Sequence, residues 1–161
     1  MSDILRLLDE FHYEKLTAML RHEASARLVG QYDVNNTYQY IIGREDVQLS
    51  WVASAIRDLG GNPGELAEPD RSAPGKSADA VKSLIAEDAR DAQAFVDRWS
   101  PRVDAMTNAR HRSMLRVVLG EVLEQKRFFE QALAGRTDLL GRREAQLGPA
   151  YGEVLPTRWI E

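Results

Sequence analysis

The sequence predicts an all-α protein built as a four-helix bundle. Three observations lead there. Four long stretches repeat their apolar residues at intervals of three and four, the period of a helix with one buried face. The stretches are separated by helix-ending signals, Gly60-Gly61-Asn62-Pro63 and Gly135 among them. The connections run short, long, short, the pattern of two helical hairpins joined in the middle.

Residues 3–11, DILRLLDEF, open the first helix, and Leu16, Met19, Leu20, Ala26 and Gly30 continue it at helical spacing. The segment QYDVNN at 31–36 breaks the pattern, because Asp, Val and Asn are weak helix formers and Asn35 or Asn36 suits an N-cap. A tight hairpin near Val34 is expected, with the second helix over 36–59. Residues 60–77 hold three prolines and four glycines and read as a long loop. The third helix is expected over 78–99, with Ser100-Pro101 as the N-cap and first position of a short turn over 101–106. The fourth runs over 108–134 and closes at Gly135. Residues 1–135 thus read as the bundle. Residues 136–161 read as a C-terminal tail whose Tyr151, Leu155, Trp159 and Ile160 are apolar enough to dock on the bundle or on a second subunit. Eighteen extended residues reach ~60 Å, whereas a helix of such length as the second is ~35 Å long. Both an up-down-up-down order and a single long crossover therefore fit.

Composition narrows the function. A chain of 161 residues with 43% hydrophobic and 29% charged side chains folds as one domain with a substantial core. A net charge of −4 disfavours nucleic-acid and anionic-membrane partners. With no cysteine, disulfides, thiolate metal sites and a cysteine nucleophile are excluded. Three histidines, His12, His22 and His111, are too few for a histidine-rich metal site, and His22 and His111 are expected at the surface. No run approaches the ~18 apolar residues of a membrane span, and the first residues lack a secretory leader. A cytoplasmic protein of bacterial type is expected. Ser50, Ser54 and Ser113 have no base at a recognisable spacing, so a serine hydrolase has no support.

The chemistry lies in polar residues on apolar stripes. On the second helix, Glu45 and Gln48 fall on the stripe of Tyr38, Ile41, Val52, Ile56 and Leu59. Glu23 shares the stripe of Leu16, Met19, Leu20 and Ala26, and a turn at Val34 would set it level with Glu45. On the third helix, Asp88 and Asp91 share a face with Val81, Leu84 and Phe95, with Glu87 beside it, and both aspartates are expected on a partly solvated face. On the fourth, Gln125 lies with Leu115, Val118, Val122 and Phe129, and Glu121 on the adjacent face with Met114 and Phe128. A lone buried carboxylate costs several kcal/mol. A metal ion, shared protons, or hydrogen bonds from Gln48, Gln125, Arg44, Arg90 or Tyr40 must offset that cost. Gln48 is expected to bond Glu45 or Tyr38. Trp51, Trp99, Phe128 and Phe129 read as core or subunit contact.

These segments resemble the ferritin-like superfamily, in its bacterioferritin and rubrerythrin form. LTAMLRHEASA, 16–26, is similar to the first metal-ligand helix, with Glu23 at the glutamate position. GREDVQLSWVASAIRDLGG, 43–61, is similar to the second, which normally reads Glu-x-x-His. LGEVLEQKRFFEQAL, 119–133, is similar to the fourth, which normally carries another Glu-x-x-His. Here Gln48 replaces the first histidine, and neither Gln125-x-x-Phe128 nor Glu121-x-x-Glu124 supplies the second. The resemblance implies a metal set of Glu23, Glu45, Asp88 and Glu121, with Fe, Mn or Zn as the metal, or a centre that has lost its metal altogether. Three functions fit: a ferritin-like bundle without a working di-iron centre, acting as an oligomeric or interaction module; a carboxylate-rich metal-binding oxidoreductase or storage-type protein; or a small-molecule binder that uses the polar layer. A homo-oligomer, most simply a dimer, is the expected partner, with no nucleic acid and no membrane.

Overall fold

A computed structural model describes residues 2–65, 77–136 and 138–140. The expected docking of the tail at Tyr151, Leu155, Trp159 and Ile160 lies outside the described residues. Four helices form an all-α bundle: α1 (Asp3–Ala26), α2 (Tyr32–Asp58), α3 (Ala78–Asp104) and α4 (Ala109–Leu133). No described helix is long and apolar enough to cross a membrane.

Each helix starts at a side chain that accepts from an otherwise orphaned backbone N–H: Ser2 for Leu5, Gln31 for Val34, Ser77 for Ala80 and Asn108 for His111. α2 therefore begins at Tyr32, ahead of the expected start, and Val34 lies inside it. Asn35 is no N-cap. Its amide instead donates to the carbonyls of Ala26 and Val29, closing the end of α1. Ser100-Pro101 does not restart a helix either. Pro101 sits within α3, on an exposed position, and the helix runs on to Asp104. The fourth helix and both glycine stops match the sequence. Gly60 and Gly135 have φ of 85° and 92°. In each case the following N–H returns to a carbonyl five residues back, Gly61 to Ile56 and Arg136 to Gln131, the Schellman pattern.

Ion pairs fix the helix directions. Arg102–Glu10, Arg98–Glu14 and Arg21–Asp91 step down α3 as they step up α1, so these helices are antiparallel. Arg44–Glu121 and the Tyr40–Phe128 ring contact do the same for α2 and α4. α1 pairs with α2 and α3 with α4 as hairpins. Tyr38, early in α2, reaches Asp88, early in α3, so α2 and α3 run parallel. The connection between them joins opposite ends of the bundle. Of the two orders open from sequence, the long crossover is the one present. At its start Gly61 lies against α1, where a Cβ would come within 2.8 Å of Leu5 Cδ1.

The core has two apolar clusters. One gathers Leu8, Phe11, Val52, Ile56, Phe95, Trp99, Leu115 and Val118. The other gathers Val29, Val34, Tyr38, Ile41, Ile85, Phe128 and Phe129. Lys15, His22, Glu45, Gln48, Asp88 and Gln125, all buried, lie along the four helices between these groups.

Asn35→Ala removes the two bonds that close α1 and is expected to cost about 1 kcal/mol of unfolding free energy, read from urea midpoints. No change would mean that water satisfies those carbonyls as well as the amide does.

Candidate functional site

The buried polar layer is the candidate site. It begins with Glu45, which has no exposed surface. Its position on the α2 stripe directs it inward, as the sequence predicts. Its two oxygens are held from α1: Lys15 Nζ donates to Oε2 at 2.9 Å, and His22 Nδ1 lies 2.5 Å from Oε1. Lys15 and His22 are two helical turns apart, so they project from one side of α1 and bracket the carboxylate. The other imidazole nitrogen, Nε2, faces Asp88 Oδ1 at 4.0 Å. Asp88 in turn accepts from the Tyr38 hydroxyl at 2.6 Å. The Tyr38 and Phe129 rings pack against the His22 ring.

The charges balance when His22 is protonated: Lys15 and His22 against Glu45 and Asp88. Burial drives the His22 imidazolium toward its neutral form, but the charge and hydrogen bond of Glu45, with Asp88 behind it, overcome burial and raise its pKa above 6.5. Burial likewise pushes Glu45 toward protonation, and His22 and Lys15 more than reverse this, holding its pKa below 4.5. Each partner thus keeps the other charged.

The sequence-predicted site residues divide. Glu45 and Asp88 belong to the layer and meet through His22. Glu23 is half-buried and lines a separate hollow with Arg27, Asn35 and Gln39. Glu121 accepts from Arg44 Nε at 2.7 Å, one of the compensating contacts anticipated for the row. Gln125 is buried and shares a cavity with Asp88. Asp91 is half-exposed and pairs with Arg21. Among the described residues no group of three or more His, Asp or Glu side chains is set to hold a metal ion. The donor set has the same bias, since one Glu45 oxygen is held by an ammonium and the other by a histidine nitrogen.

Three expectations are corrected. His22 and His111 are buried rather than at the surface. Gln48 is buried but bonds neither Glu45 nor Tyr38, and neither of its amide atoms has a partner among the described residues. Lys15 and His22 already fill the Glu45 oxygens, and Tyr38 is committed to Asp88. Finally, α1 presents a different stripe. Leu8, Phe11, Lys15 and His22 face the core, while Leu16, Met19, Leu20 and Glu23 are half-exposed beside them. Besides His22, Lys15 is the site residue that sequence reasoning missed. Its signal was the interval: Leu8, Lys15 and His22 repeat every seven residues, the spacing of a buried seam.

Beside the layer, a cavity of about 230 Å³ opens between α1 and α3 and reaches Val122 and Gln125 of α4. Lys15, His22, Asp88 and Phe95 lie in its wall, with Lys15 Nζ 5.8 Å from the Phe95 ring centre. Arg21–Asp91 and Arg98–Glu14 pairs flank the mouth. No protein family, curated protein or solved structure matches the chain.

Two tests address the layer. Lys15→Met leaves the buried Glu45 carboxylate short of its ammonium partner and is expected to cost about 3–5 kcal/mol. Lys15→Met combined with Glu45→Leu removes both charges and is expected to lie closer to the parent. Equal losses in the single and double variants would show that packing, not charge, sets the cost.

The second test uses pH. His22, raised, contributes in full below its unfolded value of 6.5 and loses that contribution as pH climbs through the folded value. Glu45, lowered, contributes in full above 4.5 and loses that as pH falls through its folded value. The pair is most stabilising between 4.5 and 6.5. Urea midpoints should drop from pH 6 to pH 9 in the parent and drop less in His22→Gln. An equal drop in the two would place the alkaline loss elsewhere.

Proposed function

We propose that this chain is a ferritin-like bundle without a working di-iron centre, acting as an oligomeric or interaction module. The observation that carries this reading is Lys15. Its ammonium, buried and 2.9 Å from Glu45 Oε2, brings to the carboxylate the positive charge that a metal ion would otherwise bring. The layer is compensated from within the chain. His22 supports the same reading, because its Nδ1 is engaged by Glu45 rather than presented to an ion. Gln48 stands where the resemblance places the first imidazole, and Phe128 or Glu124 where it places the second, and none of these side chains replaces an imidazole at an iron centre.

The connectivity supports the ferritin-like half of the reading: two antiparallel hairpins, one long crossover, and polar side chains directed inward from each helix. The surface supports the module half. Tyr40 and Val47 of α2 and Val117 of α4 are exposed apolar side chains near the α2–α4 seam, where Arg44 also lies over the half-buried Trp51. Such a strip is suited to a protein contact.

The test is elemental analysis of untagged protein beside Glu45→Ala. No stoichiometric Fe, Mn or Zn is expected in either sample. Near-stoichiometric metal that vanishes with Glu45→Ala would overturn the reading in favour of a carboxylate-rich metal site drawing on Glu23, Glu45, Asp88 and Glu121. Light scattering tests the module: a dimer or larger assembly is expected, weakened at least ~10-fold by Val47→Lys with Val117→Lys. A monomer at every concentration would count against self-association.

A further inference from the structure

The cavity beside the polar layer has an ordered distribution of charge. Its α1 wall carries Lys15, Arg21 and His22 against the single acid Glu14, with Glu45 behind the wall bonded to Lys15 and His22. Its α3 wall is acidic, with Asp88 and Asp91 against the single base Arg98, which is occupied by Glu14. With His22 protonated and Glu45 counted behind the wall, four cations (Lys15, Arg21, His22, Arg98) face four anions (Glu14, Glu45, Asp88, Asp91) and the formal charges cancel. A ligand of one sign would meet attraction on one wall and repulsion on the other. A ligand with both signs at opposite ends of one short group would meet attraction on each.

The deepest part of the cavity sets the scale. His22 Nε2 and Asp88 Oδ1 are 4.0 Å apart, too far for a direct hydrogen bond. Both groups are nine-tenths or more buried. An imidazole nitrogen and a carboxylate oxygen at that separation can engage a carboxylate and an ammonium carried on one carbon atom. Above them lie apolar surfaces, the Phe95 ring, Ala92 and Val122. At ~30 Å³ per water-sized group, a volume of about 230 Å³ holds a molecule of roughly eight non-hydrogen atoms.

We propose that this cavity binds a small zwitterion of the free α-amino acid class. Its carboxylate lies toward Lys15 and His22 of α1, its ammonium toward Asp88 and Asp91 of α3, and its short apolar side chain against Phe95 and Val122. The rim pair Arg21–Asp91, at 3.5 Å and partly exposed, closes the mouth behind it. This assignment does not depend on the absence of a metal centre, nor on self-association.

Isothermal calorimetry on the full chain tests it with three probes that share one carbon skeleton around the charged groups: L-valine, isovalerate (valine without its ammonium) and isobutylamine (valine without its carboxylate). Saturable binding of L-valine is expected, at least ~10-fold tighter than either singly charged analogue, since each lacks one charge-assisted contact. Two variants locate the site. Ala92→Leu fills the cavity without touching its charges and should abolish the valine signal. Asp91→Asn, on a half-exposed position, should weaken it while leaving the helical circular dichroism unchanged. The proposal is overturned by no saturable valine binding up to 10 mM, or by isovalerate or isobutylamine binding as tightly as valine. Valine binding that persists in a folded Ala92→Leu protein would overturn it as well.

Discussion

A carboxylate with no exposure to solvent stands midway along this bundle, and the surrounding structure answers to it. Glu45 could be accommodated in three ways: by protonation, by an external cation, or by cations of the chain itself. The fold takes the third. Lys15 and His22 come from one side of α1, two turns apart, and each holds one oxygen. The imidazole passes the constraint onward to Asp88, and Asp88 to Tyr38, so the demand of one side chain reaches three helices. The two apolar clusters fill the space on either side of this chain of contacts.

Much of this was legible in the sequence, for reasons that differ from helix to helix. α2 has one apolar stripe, so Glu45 and Gln48 could be assigned to the core by counting. The same holds for Gln125 on α4, whereas Asp88 on α3, expected with Asp91 on a partly solvated face, is buried while Asp91 is half-exposed. α1 is different. Its apolar residues cover two neighbouring stripes, and Leu16, Met19 and Leu20 drew the reading about 100° away from the true core face. Glu23 went with them. Lys15 reads as solvent-facing by residue type, and only the carboxylate on another helix makes its burial sensible. A single helix cannot announce a partner that lies elsewhere in the chain.

The caps show a similar limit. Asn35 has the right chemistry for an N-cap, and it does satisfy orphaned backbone groups, but those of the preceding helix. Gln31, a less favoured cap, takes the role at α2. Ser100-Pro101 looks like a fresh start, yet α3 continues through it to Asp104, and Val103 near its end and Met106 just beyond it pack in the core. Tertiary burial there outweighs the local signal. Loop length leaves the crossover open; the ion pairs that order α3 against α1 and the Tyr38–Asp88 bond between α2 and α3 settle it.

The Lys15–Glu45–His22 arrangement has a consequence for registry. Helices that meet through apolar side chains alone can slide by a turn, about 5.4 Å, and still bury similar surface. Many nearly equivalent alignments then compete. Sliding α1 against α2 here would bring Glu45 toward leucine and phenylalanine on one side or past His22 on the other, stranding at least one charge without its counterpart. The layer therefore acts as an index mark. It adds little to the affinity of the two helices for each other, but it makes one alignment distinct from its neighbours, as a single buried polar residue does in a coiled coil.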